Sequence, residues 1–101
     1  MSYYILFYET IENYIEHRAP FRQVHLQLAR ASAERGEMVL GGAYAEPADG
    51  AAIIFRGDDA SVAEQFAKDD PYVQNGLISK WWVREWTVVI NAFENGVHNL
   101  I

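Results

Sequence analysis

No cysteine occurs in the 101 residues, which excludes disulfide stapling, thiolate metal sites and thiol nucleophiles. Basic residues are scarce too: eight Lys and Arg stand against fourteen Asp and Glu, a formal charge of -6. Nucleic-acid binding depends on phosphate contacts, so this balance argues against it. No apolar run approaches the roughly 20 residues that span a bilayer. The opening MSYYILFYET has neither a basic n-region nor a small-residue cleavage site. The expectation is a cytoplasmic, unanchored protein with no membrane association.

Several chemical signatures are also missing. His17, His25 and His98 are scattered, and no His-x-His, His-Glu-x-x-His or facial-triad spacing is present. Gly41-Gly42 belongs to no phosphate-binding loop, and no nucleophile-elbow motif surrounds any serine. Neither a metal nor a cofactor is expected.

What the chain does have is apolar content of 50%, which places it in the globular class, and a length that suits one domain. Tyr3 to Tyr8 reads as a strand with Tyr3, Ile5 and Phe7 on one face and Tyr4, Leu6 and Tyr8 on the other. Residues 11 to 18 are ambiguous. Pro20 in a first turn and Gly36 as a stop predict a helix from Ala19 to Arg35. Its apolar stripe is read as Phe21, Val24, Leu28 and Ala31, with His25 on the shoulder. Strands are expected at Met38 to Ala45 and Ala51 to Arg56, then a helix capped by Asp58 or Asp59 and running through Lys68. After a turn-rich link at residues 69–76, Leu77 to Ile90 reads as a long strand, and residues 91–101 as a C-terminal tail able to act as an interface arm.

The resulting order, β-α-β-β-α-β over residues 1–90, is a ferredoxin-like α+β sandwich with both crossover helices on one side of a four-stranded sheet. The other side would carry aromatic and branched residues with nothing from the same chain to cover them. A second copy would bury them, so a homodimer is expected, with further assembly left open.

Three groups of residues are candidates for function. Arg18, Arg22 and His25 fall at i, i+4 and i+7 and would present two cations and an imidazole at a groove between helix and sheet, although an edge histidine and two solvated arginines have the same spacing. Asp70 precedes Pro71 and is held extended, so its carboxylate could receive the His25 Nδ1–H beside Tyr72, or merely cap a turn. Trp82 shares a strand face with Arg84 and Trp86, which suits a planar or anionic ligand and equally suits packing.

Taken in order, the tyrosine-rich first strand, Arg18, Arg22 with His25-Leu26, Gly36, Gly42, Asp49-Gly50, Ala63-Glu64 with Phe66, Asp70-Pro71-Tyr72 and Gly76-Leu77 resemble the YciI-like family, or YCII-related domain, over about residues 3 to 88. The resemblance implies a dimeric α+β barrel made from two ferredoxin-like domains. It also implies a site of His25 and Asp70 with Arg22 nearby. One relative eliminates HCl from a hydroxyquinol, and the wider superfamily includes muconolactone isomerases and cofactor-free oxygenases. The tail and the tryptophan-rich last strand depart from the family pattern. The expected function is a cofactor-independent lyase or isomerase acting on a small anionic, aromatic or lactone substrate. His25 and Asp70 would be catalytic, and Arg18, Arg22, Tyr72 and Trp82 would bind substrate. The alternatives are a non-catalytic ligand-binding or accessory module and a purely structural dimer.

Overall fold

Strict alternation along the first strand decides which side chains reach the interior. In the computed structural model, which describes residues 1–95, β1 spans Ser2–Thr10 and buries Tyr4, Leu6 and Tyr8, while Tyr3, Ile5 and Phe7 are only half-buried on the other face. A short helix α1, Tyr14–His17, fills the segment that periodicity left ambiguous, and α2 follows at Ala19–Glu34. Pro20 lies in the first turn of α2, and Gly36 at φ 78° ends it in the left-handed region that glycine tolerates best.

The chain continues through β2 (Met38–Ala43), β3 (Gly50–Gly57), α3 (Ser61–Asp69), α4 (Pro71–Gln74), β4 (Ile78–Trp86) and α5 (Ala92–Asn95). The sheet is antiparallel throughout, in the order β2-β3-β1-β4. Gly50 is required at the start of β3, because a Cβ there would come within 2.5 Å of the Tyr8 carbonyl oxygen and 2.8 Å of the Tyr44 ring. Neither Asp58 nor Asp59 is the N-cap of α3, which is Ala60 with no side-chain cap; Asp59 instead closes a local turn, its Oδ1 accepting the Ser61 N–H at 2.9 Å.

Several expectations are corrected. The α+β arrangement is ferredoxin-like, but the sheet is open and not closed into a barrel: β2 and β4 are both edge strands, and four strands are too few to meet the tilt and stagger that closure demands. The last strand stops at Trp86 instead of Ile90, because Trp86 pairs with Tyr3 near the beginning of β1 and little partner strand remains beyond it. β2 stops at Ala43, whose partner Ala51 lies next to the start of β3. The buried stripe of α2 is rotated away from Val24, which is 56% exposed, towards Phe21, His25, Leu28, Ala29 and Ser32. Phe21 and Leu28 of the expected stripe do pack against the core, and polar His25 and Ser32 face inward where apolar spacing points to Val24. Of the tail, Ala92–Asn95 is helical, and the remainder, with His98, lies outside the described residues.

The core fills the layer between helices and sheet, with Leu6, Phe55, Ala63 and Ala67 fully enclosed. Among the described residues no helix is long and apolar enough to cross a membrane.

Candidate active site

Proline sets the first element of the site. Pro71 opens α4 and holds Asp70 at φ -71°, ψ 120°, an extended backbone that turns its carboxylate back over the helix start. Asp70 Oδ1 accepts the Tyr72 N–H at 3.0 Å, capping α4, and the residue is wholly buried. A buried carboxylate needs further donors, and two long-range ones arrive. Tyr8 Oη, from β1, donates to Oδ2 at 2.7 Å. His25, from α2, places Nδ1 2.9 Å from Oδ1.

With Asp70 accepting, Nδ1 carries the proton, and Nε2 is the nitrogen left available, with no hydrogen bond among the described residues. The His25 side chain is 17% exposed. Its ring lies parallel to that of Tyr72, centroids 3.9 Å apart and planes 8° apart, and Phe66 meets it edge-on at 6.4 Å. Burial, followed by the Asp70 charge and the hydrogen bond to it, pushes the Tyr8 phenol far above its ordinary range, so Tyr8 stays a protonated donor. Burial and Tyr14 also raise the Tyr72 phenol, against the opposing pull of Arg22 and Arg18.

His25 faces a cavity of about 230 Å³ between α2 and the sheet. Apolar Leu26, Met38, Ile53, Phe66 and Ile78 form much of its wall, and β2 contributes only Gly41, Gly42 and Ala43 beside Met38. A Cβ on Gly41 would sit 3.2 Å from Ile53, so the bare backbone there serves packing as well as space. Arg18 and Arg22 also line the cavity. Arg18 Nη1 donates to Tyr14 Oη at 3.1 Å, with its guanidinium 5.4 Å from the centre of that ring. The volume is below the roughly 300 Å³ at which sites for drug-sized molecules begin, so the space suits a smaller ligand.

The structure thus brings together His25, Asp70, Arg18, Arg22 and Tyr72. It does not bring Trp82 to them. Trp82 lies on the opposite face of the sheet, stacked on Phe7 at 5.2 Å with Lys80 Nζ 5.1 Å from its ring centre. Sequence reasoning missed Tyr8. The signal available was a tyrosine on the inward face of β1, whose hydroxyl must find a partner once buried. Thr10 was missed as well; its Oγ1 and Tyr72 Oη are buried without hydrogen-bond partners beside the same cavity. Among the described residues, no three His, Cys, Asp or Glu side chains converge as metal ligands would.

A family model for the YCII-related domain matches residues 1–87. The chain belongs to that family. No curated protein matches it significantly. Among solved structures, this YCII-related chain resembles a 5-chloro-2-hydroxyhydroquinone dehydrochlorinase from Burkholderia phenoliruptrix, in complex with 2,5-dihydroxybenzoquinone, with TM-score 0.69 and 15% identity over 84% of this chain and 93% of that one. An uncharacterized NIPSNAP domain protein from Burkholderia xenovorans matches with TM-score 0.54 and 13% identity, covering 92% of this chain and 97% of its own. A structural-genomics protein from Agrobacterium tumefaciens gives 0.57 and 14%, covering 86% and 92%. Likeness at these identities establishes the shared fold. Within it, the buried His25–Asp70 pair is a candidate catalytic dyad in a family of diverse and uncertain activity.

Proposed function

We propose that this chain is a cofactor-independent lyase or isomerase acting on a small anionic molecule, a single oxygenated ring or a lactone. The observation that carries the reading is the 2.9 Å contact between His25 Nδ1 and buried Asp70, which fixes the tautomer and leaves Nε2 free beside a small cavity. In this reading Nε2 takes a proton from a carbon or hydroxyl of the substrate. The electron pair moves into the ring or enolate, and either a leaving group departs or the proton returns at another carbon. Asp70 offsets the charge that appears on the imidazole. Arg22 and Arg18 offset the negative charge developing on substrate oxygen. The dehydrochlorinase of similar fold, bound to a dihydroxybenzoquinone, supports an oxygenated ring as the substrate class.

A second reading rests on the Tyr72 N–H bond to Asp70 Oδ1, because a carboxylate needed to cap α4 would sit where it does without any chemistry. The same pocket would then bind a small anion without turnover. The two readings part in a screen of hydroquinones, hydroxybenzoates and lactones against wild type and His25→Gln. Turnover by wild type that is lost in the folded variant supports the enzyme. Binding of equal strength to both, with product from neither, supports the binding module.

The proposal includes a second copy laid on the outer sheet face. Tyr3, Ile5, Phe7 and Trp82 are half-exposed there and Trp86 is 45% exposed, a patch larger than isolated surface residues would form. Light scattering at micromolar concentration should give twice the mass of one chain, and the mass of a single chain would refute the dimer.

A further inference from the structure

Tyr72 holds both members of the pair, and Tyr8 holds the carboxylate oxygen that His25 leaves free. The Tyr72 backbone N–H binds Asp70 Oδ1 at 3.0 Å while its ring stacks on the imidazole at 3.9 Å. Tyr8 Oη occupies Oδ2 at 2.7 Å. One carboxylate is therefore divided between His25 on one oxygen and Tyr8 on the other. Resting on the reading of His25 as a base, we propose that Tyr72 and Tyr8 are positioning residues that set, in opposite senses, how readily His25 takes a proton.

The physical basis is separate for each. A nearly parallel ring at van der Waals distance fixes the plane of the imidazole, so Nε2 cannot swing away from the cavity. The negative face of that ring also favours imidazolium over neutral imidazole, and more so where water is excluded. Tyr72 thus makes His25 a better base. Tyr8 spends its hydroxyl on the same anion that attracts the imidazolium, spreading the Asp70 charge and weakening its pull on Nδ1–H. It makes His25 a weaker base. The other groups facing this cluster are Arg22 and Arg18 at the N-terminal end of α2 and Tyr14 on α1, which meets Tyr72 edge-on at 5.9 Å. α3 contributes the uncharged Phe66. Neither arginine is altered in the variants used below.

The test is the NMR titration of the His25 ring protons in the full chain, assigned by the signal lost in His25→Gln, for wild type, Tyr72→Leu, Tyr72→Phe and Tyr8→Phe, each first shown to fold by thermal melting. Tyr72→Leu should lower the His25 midpoint by about half a unit to one unit. Tyr72→Phe keeps the ring and should stay within about 0.2 units of wild type. Tyr8→Phe should raise the midpoint by about half a unit. Shifts of the same sign in Tyr72→Leu and Tyr8→Phe, or none in either, would overturn the proposal, as would Tyr72→Phe behaving like Tyr72→Leu. If Tyr72→Leu does not fold, the upward shift in Tyr8→Phe decides alone. No substrate is needed, so the outcome is separable from the enzymatic reading. Undiminished turnover in His25→Gln would remove the base while leaving these shifts, and absent shifts beside an inactive His25→Gln would remove only the tyrosines.

Discussion

The two faces of the sheet are built from the same strands and nearly the same residue types, yet they have different fates. On the helix side Tyr4, Leu6, Tyr8, Ile53 and Phe55 are buried, with the Tyr8, Asp70 and His25 cluster set among them. On the outer side Tyr3, Ile5, Phe7, Ile54 and Trp82 are half-exposed and Trp86 is open to solvent. Aromatic content does not separate the faces. What separates them is polar groups: the inner face encloses a carboxylate and an imidazole that satisfy one another, whereas the outer face carries its charges on long, exposed or half-exposed side chains such as Lys80, Arg84 and Arg56. An apolar layer interrupted by a buried polar cluster is the arrangement expected of a site, and an aromatic patch whose charges sit on long side chains at the surface is the arrangement expected of a contact surface.

The strongest way to break this contrast is truncation on each face. Phe55→Ala empties a fully enclosed position and should cost about 3–5 kcal/mol in a denaturant melt. Trp86→Ala, at the rim of the outer face, should cost the isolated chain under about 1 kcal/mol. Equal losses would mean that the two faces are packed alike within one chain. Next comes Asp70→Ala, which strands the Tyr8 hydroxyl, the His25 Nδ1–H and the Tyr72 N–H together and should cost about 2–4 kcal/mol. Asp70→Asn keeps an acceptor and should cost less.

A smaller effect sharpens the same point through pH. Because the Tyr8 phenol is raised above its ordinary value of 10.0 in the folded chain, the unfolded chain loses that proton first. Tyr8 therefore makes stability fall as pH rises above about 10 and leaves it unaffected below. Melting curves between pH 8 and 11 should show a shallower alkaline decline in Tyr8→Phe than in wild type. The least effect is expected away from both faces. Arg35 and Glu37 form an exposed pair at 2.9 Å, and Arg35→Ala should change stability by less than about 0.5 kcal/mol in a thermal melt.

Much of this was legible in the residues. Alternation in Tyr3 to Tyr8 placed each side chain on its correct face, the Pro20 and Gly36 signals bounded α2 to within a residue, and Asp70 before Pro71 announced a carboxylate held in one direction. Spacing did not reveal that α2 turns His25 and Ser32 inward and leaves Val24 out, because periodicity counts apolar residues and this helix buries polar ones. Nor did it reveal which tryptophan faces which way. Trp81 and Trp82 alternate in any strand, and only the register against Tyr8 and Phe7 assigns Trp82 to the outer face. The partnership of Tyr8 with Asp70 spans 62 residues of sequence and is set by tertiary packing alone. The expected barrel came from family resemblance, and the open order of four strands with two free edges corrects it.

The central claim is that His25, oriented by Asp70, transfers a proton in the inner cavity. Its most direct test is the pH dependence of turnover, for whichever hydroquinone, hydroxybenzoate or lactone the chain consumes, in wild type and in a His25→Gln variant shown to melt near wild type. A limb in the histidine range is expected that vanishes in the variant, together with a loss of about 100-fold or more in rate. Equal rates with the same pH profile in both proteins would contradict it.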